Sequence, residues 1–132
     1  MADPVGLVAQ RIAVAFAKVG GQKAAGIDTA VRQSDRADAQ VNGSLALAKA
    51  MGATPRDIAV KVLEVAELQD ICSATEVAGP GFINLTFANK FLARELVAAS
   101  SDDKLGVASV PTPRRVVIDY SAPNVAKEMH VG

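Results

Sequence analysis

Three features of this chain predict an α+β fold followed by a linker and the opening strand of a further unit. Apolar stripes of helical period recur between capping residues, and two strand-like runs flank Gly79-Pro80-Gly81. A polar, Gly/Pro-punctuated stretch then precedes a last β-branched run. The expected domain is a small antiparallel sheet packed with about four helices over residues 1–100, with a linker at 101–115 and a new unit at 116–132.

The elements follow in order. Asp3-Pro4 reads as an N-cap and first helical position. Val5, Val8, Ile12, Phe16 and Val19 recur at helical spacing until Gly20-Gly21 stops the run. "GIDTAVRQS" alternates weakly, as a short strand would, and "VNGSLALAKAMG" reads as a second helix ending at Gly52. The clearest helix is "ATPRDIAVKVLEVAEL". Thr54 caps it, Pro55 opens it, Asp57 stands at the capping-box position, and Ile58, Val62, Val65 and Leu68 form its stripe.

"DICSATEVA" and "FINLTF" are strands joined by the Gly-Pro-Gly turn. Period two sends Phe82, Asn84 and Thr86 to one face of the second strand, and Ile83, Leu85 and Phe87 to the other. One face is thus apolar, while the other carries an aromatic beside two hydrogen-bonding groups. Asn89 caps a last helix, "KFLARELVAAS"; "SDDKLGVASVPTPRR" has no period and reads as the linker; and "VVIDY" is the kind of run buried in a parallel sheet.

Composition narrows the function. A chain of 132 residues makes one compact domain, and with four Phe, one Tyr and no Trp its core must come from Ala, Val, Leu and Ile. Fourteen basic residues balance fourteen acidic ones, which excludes binding to nucleic acid or membrane by bulk charge but not a small specific site. Cys72 is the single cysteine, so neither an internal disulfide nor a cysteine zinc cluster is available; it reads as a small buried hydrophobe. No metal site is expected. The N-terminus lacks a basic start, and Arg11 and Lys18 interrupt its apolar run, so neither a secretory signal nor a membrane span is expected and a cytoplasmic setting fits.

The last twelve residues, "SAPNVAKEMHVG", put a polar turn after a strand, where nucleotide-binding α/β units hold ligands. A helix beginning past Gly132 would aim free N–H groups at a phosphate. Lys127 and His130 supply donors, and Asn124 both donates and accepts. On chemistry alone, a Pro-Asn turn is more often simply a turn.

The string "VVIDYSAPNVAKEMHVG" closely resembles the entry of arginyl-tRNA synthetases into their class I, Rossmann-like catalytic domain. There a strand, a Ser-x-Pro-Asn-x-x-Lys turn and a His-Val-Gly-His signature follow in order; here the chain stops at Gly132, before the closing His. "EVAGPGFINLTF" resembles the glycine-turn-strand element of the same family's appended N-terminal domain. "ADAQVNGSLALAKAMGATPRDIA" resembles its two-helix stretch after an Asp-Tyr-Gln-x-Asn element.

The resemblance implies ATP-dependent activation of arginine, with Mg2+, and transfer to the tRNA for arginine by a full-length enzyme expected to be a monomer. It implies that Ser121 and Asn124 hold the amino acid, that Lys127 and His130 act catalytically at the ATP phosphates, and that Gly132 lets the backbone approach the nucleotide. It further implies that Phe82 and Asn84 recognise a D-loop base, the way single-stranded RNA is usually read. Where the family carries Phe-Gly-Asp-Tyr-Gln, this chain has Arg36-Ala37-Asp38-Ala39-Gln40. The aromatic is lost there, and Gln40 and Asn42 remain as RNA hydrogen-bonding candidates.

Plain alternatives stand beside these readings. Phe82 could be a core aromatic, Gly79 to Gly81 merely a hairpin turn, and Arg114-Arg115 a solvated pair. A non-catalytic RNA-binding or adaptor module and a different nucleotidyl-transferring enzyme are the competing functions. Either way, 132 residues lack most of a catalytic sheet, so the chain alone is expected not to aminoacylate, and a strand at 116–120 is expected to want neighbours.

Overall fold

The computed structural model describes residues 3–120, in the order α1 (Pro4–Gly20), a 3-10 turn (Gly21–Ala24), β1 (Val31–Ser34), β2 (Ala37–Val41), α2 (Ser44–Met51), α3 (Pro55–Ala66), β3 (Cys72–Ala78), β4 (Phe82–Phe87) and α4 (Asn89–Ser100). The four strands form one antiparallel sheet in the order β1-β2-β4-β3. This is the α+β architecture expected, with four α-helices.

Local chemistry accounts for most boundaries. The Gly6 N–H donates to Asp3 Oδ1 at 2.9 Å, and Pro4 opens α1 because its missing N–H is one the helix start would leave unpaired. Gly52, at φ +66°, closes α2 in the left-handed conformation, its N–H donating to the Ala48 and Lys49 carbonyls. Pro55 opens α3 and Asp57 lies in its first turn; Thr54 takes the cap position, but its side chain makes no capping bond.

Val8, Ile12 and Phe16 from α1, Leu47 from α2, and Ile58 and Val62 from α3 are buried together against Ala39, Val41, Ile83, Leu85 and Phe87 of the sheet. The helices thus cover one sheet face only. α4 is attached through Phe91, whose ring lies 6.2 Å from that of Phe87, while Leu96 and Val97 remain exposed.

Several expectations shift. The strand read over "GIDTAVRQS" begins only at Val31, because Asp28 Oδ1 accepts the Ala30 N–H at 2.8 Å and Ala30 turns to φ +49°. That local turn takes residues 28–30 out of the ladder. β2 was not anticipated as a strand; an Asp35-Arg36 turn folds it back on β1, with Ser34 Oγ accepting the Arg36 N–H. Asn89 is the first residue of α4 rather than its cap; Ala88 holds the cap position, its N–H donating to the Ile71 carbonyl at 2.8 Å. Residues 116–120 form no strand, and Val117 is 89% exposed. No neighbouring strand is offered to them among the described residues, so their backbone groups turn to water.

One ion pair ties α1 to the end of α3. Arg11 meets Asp70 through two hydrogen bonds, at 2.9 and 2.8 Å, and also donates to the carbonyl of Glu67, the left-handed residue that ends α3. The hydrogen bond from Arg11 holds the Asp70 carboxyl below its ordinary value, against partial desolvation. A depressed folded pKa means the folded state binds fewer protons. The stabilisation is therefore complete above the unfolded value, about 3.9, and lost as pH falls through the folded one. The Arg11 side chain is half-buried and that of Asp70 exposed, so solvent screening still holds the pair's worth to about 1 kcal/mol or less. Arg11→Leu is expected to lower chemical-denaturation stability at pH 7 by that much, with the gap to the parent closing below about pH 4. A gap unchanged at pH 3 would assign the loss to packing or to the Glu67 carbonyl bond, and not to the pair.

Candidate nucleic-acid interface

Because the helices take the inner face of the sheet, side chains of the opposite register are left on the outer one. β4 alternates as expected: Ile83, Leu85 and Phe87 are buried, Thr86 is exposed, and Phe82 and Asn84 are half-buried. Phe82 lies outside the hydrophobic core, which removes the core-aromatic alternative. Its ring borders Gly79, whose added Cβ would come within 3.5 Å of it.

Strand register brings the next candidate alongside. Gln40 on β2 is the cross-strand partner of Asn84, and its Nε2 donates to Asn84 Oδ1 at 2.7 Å. This bond fixes both amides while leaving the Asn84 amino group to donate and the Gln40 carbonyl to accept. Phe82 and Asn84, two residues apart on one face, are separated by about 7 Å along the strand. The arrangement is a stacking surface beside a pre-oriented donor and acceptor, which suits an unstacked base.

The Gly-Pro-Gly turn has a structural role, as its simpler reading held. Gly81, at φ +147°, lies so close to Pro55 that a Cβ would fall 2.8 Å from the Pro55 backbone. Arg56 donates to the Gly79 carbonyl at 3.0 Å and to that of Val77 at 3.4 Å. The start of α3 thereby anchors the hairpin that carries Phe82.

Other residues sort differently. Asn42 turns its Oδ1 into the protein, where it has no partner among the described residues, so that acceptor is not offered to RNA. Asp38 serves the sheet: its Oδ2 accepts the Phe87 N–H at 2.8 Å, standing in for a strand carbonyl. Cys72 is buried, and burial pushes its thiol up to about 11, which agrees with an unreactive side chain. A groove of about 470 Å³ beside it is lined by Leu63, Leu68, Gln69 and Thr75 among others, without a charged group to meet a phosphate. Ser121, Asn124, Lys127, His130 and Gly132 lie outside the described residues. Sequence reasoning passed over Arg32 and Glu76, which the register places in the same row as Gln40 and Asn84. Pairing between strands distant in sequence carries no local signal.

Among the described residues no helix is long and apolar enough to cross a membrane. A family model described as the arginyl tRNA synthetase N terminal domain matches residues 7–87, more than half of the chain. A second, for the class I (R) tRNA synthetase catalytic domain, matches residues 95–132 and so begins within α4. The chain is similar to the arginine–tRNA ligase of Aliivibrio salmonicida (strain LFI1238), at 54% identity over 111 residues, covering 82% of this chain and 19% of that protein. It is similar also to that of Thermobifida fusca (strain YX), at 43% identity over 132 residues, covering 100% of this chain and 23% of that protein. The corresponding ligase of Vibrio vulnificus (strain CMCP6) is 53% identical over 111 residues, covering 82% of this chain and 19% of its own. The chain spans about a fifth of the length of these curated relatives. With its outer sheet face, its Gly-Pro-Gly hairpin and both matches in agreement, the chain belongs to the arginyl-tRNA synthetase N-terminal domain family and runs on into the start of the class I catalytic domain.

Proposed function

We propose that this chain is the tRNA-reading N-terminal part of a cytoplasmic arginine–tRNA ligase, and that Phe82, Asn84 and Gln40 recognise one unstacked base of the D-loop. The observation that carries the reading is the Gln40–Asn84 hydrogen bond beside a half-exposed Phe82 that no part of the core claims. The base stacks on the ring, and its edge meets the donor and acceptor that the paired amides leave free. The catalytic-domain match over residues 95–132 favours this over a non-catalytic adaptor.

The test is a titration of isotope-labelled chain with the D-arm hairpin of an arginine tRNA, against the same hairpin lacking the loop base. Saturable amide shifts at Phe82, Asn84 and Gln40, absent with the control, are expected. Phe82→Ala should weaken binding by about 5- to 150-fold, the scale of one lost base–aromatic stack at ~1–3 kcal/mol. Equal shifts with both hairpins would remove base recognition.

For the whole enzyme, the reading assigns arginine to Ser121 and Asn124, and ATP with its Mg2+ to Lys127, His130 and Gly132. Lys127 and His130 would stabilise charge on the phosphates as pyrophosphate leaves. The full-length enzyme is taken as a monomer. The purified chain is expected to form no arginyl-tRNA in a radiolabelled-arginine assay; measurable product would overturn that assignment.

A further inference from the structure

Four side-chain positions form one continuous row across the outer face. Arg32 on β1 pairs with Gln40 on β2, Gln40 with Asn84 on β4, and Asn84 with Glu76 on β3. The row therefore runs from a cation through two amides to an anion. Arg32 and Glu76 are exposed, and neither has an ion pair or side-chain hydrogen bond among the described residues. The β1–β2 turn carries Asp35 and Arg36, both exposed, so it adds no net charge and Arg32 is the cation of the row itself.

We infer that this row fixes the direction in which a nucleotide lies on the sheet, with Arg32 binding the phosphate of the nucleotide whose base sits on Phe82 and Asn84. The inference rests on the base-reading proposal above and adds a phosphate contact and an orientation to it. The geometry allows one arrangement and opposes its reverse. Strands are spaced about 4.8 Å apart, so Arg32 stands roughly 10 Å across the sheet from Asn84 at the backbone, within reach of a long side chain and the sugar-phosphate of a base held at Asn84. On the other side, the first neighbour of Asn84 is Glu76, whose carboxylate repels a phosphate and accepts from N–H groups on a base edge. The backbone must then cross the β1–β2 hairpin and leave β3 to the base. Arg32 is also the residue type suited to this contact, since its guanidinium offers several donors in a fixed plane.

Such a contact has a signature distinct from stacking, because neutralising a phosphate releases counterions. The experiment measures affinity of the chain for the D-arm hairpin by fluorescence anisotropy over a series of KCl concentrations. The variants are Arg32→Gln, Glu76→Gln, Phe82→Ala and, as a distant exposed cation on α3, Lys61→Gln. Arg32→Gln is expected to reduce the slope of log K against log salt by about 0.7, the value for one phosphate on a single strand, and to weaken binding several-fold at low salt. Glu76→Gln should strengthen binding at low salt, and Phe82→Ala should weaken it at every salt with the slope unchanged. Lys61→Gln should match the parent. If Phe82→Ala weakens binding while Arg32→Gln keeps the parental slope, the orientation is wrong and base reading stands. If Lys61→Gln reduces the slope as much as Arg32→Gln, the effect is bulk charge and the inference falls. If Phe82→Ala binds as the parent does, or the parent does not bind, base reading fails and the inference fails with it.

Discussion

Replacing Phe16 by alanine is expected to destabilise the domain by about 3–5 kcal/mol, the usual cost of emptying a large aromatic site in a packed core. Phe16 is 2% exposed and is the largest fully buried side chain. It sits on α1 with Val8 and Ile12, in the cluster that also holds Leu47, Ile58 and the inner residues of β4. The other members of the cluster are mostly Ala, Val, Leu and Ile, with Phe87 and Phe91 its other rings, and small side chains of this kind cannot fill the space an aromatic leaves. A domain of this size has only about 5–15 kcal/mol of stability in total, so the loss is a large fraction of it. Thermal unfolding followed by circular dichroism should show a fall in midpoint of roughly 10–20 °C. Phe91→Ala on α4 should cost less: its ring is buried, but Leu92 and Leu96 of the same helix are exposed, and Arg94, 5.8 Å from the ring centroid, can settle over the space left. Equal losses for the two would mean that α4 belongs to the same cooperative core as α1.

The second large effect is expected at Gly43, and it is steric. The backbone there is ordinary, at φ −66° and ψ −15°, a conformation any residue adopts. A Cβ at this position, however, would lie 2.3 Å from the Asp28 carbonyl oxygen and 2.6 Å from that of Thr29. Both obstacles are backbone, so no side chain can swing away to make room. The same strands of chain are joined by hydrogen bonds from the Gly43 N–H to Thr29 at 3.0 Å and from the Asn42 N–H to Ala30 at 3.2 Å.

Gly43→Ala must therefore push the loop off and stretch these bonds, at about 1–3 kcal/mol for overpacking and roughly 1 more for each bond lost. Amide exchange at Asn42 and Gly43 should quicken by an order of magnitude or more. Because residues 28–30 lead straight into Val31 and Arg32, the outer-face row should be disturbed as well. Gly52→Ala is the matched comparison. It has φ +66° and open space around it, so it should cost only the left-handed strain of ~1–2 kcal/mol and leave exchange at Asn42 unchanged. If Gly43→Ala proves the milder of the two, the close approach of the Gly43 backbone to the 28–30 loop is not rigid.

The sequence by itself determined whatever is governed by neighbours along the chain. The start of α1 at Asp3-Pro4, the stop of α2 at Gly52, the opening of α3 at Pro55 and the hairpin at Gly79-Pro80-Gly81 are all local devices. They are readable because capping and turn chemistry act within four residues. Period two on β4 separated Phe82 and Asn84 from Ile83 and Leu85 for the same reason, and the resemblance of the motifs named the family.

Tertiary structure alone decided the rest. It made a strand of Ala37–Val41, which alternates apolar and polar residues but is built on Ala and Asp, poor strand formers until β4 pairs with them. It chose which face of β4 the helices cover, a choice that alternation leaves open in either direction. It reserved Gly43 for a contact with a carbonyl fourteen or more residues away and left residues 116–120 without a sheet to join. It also set Arg32, Gln40, Asn84 and Glu76 in one line. Cross-strand register depends on turns, bulges and which side is buried, and none of these is written at the position of the residue it places.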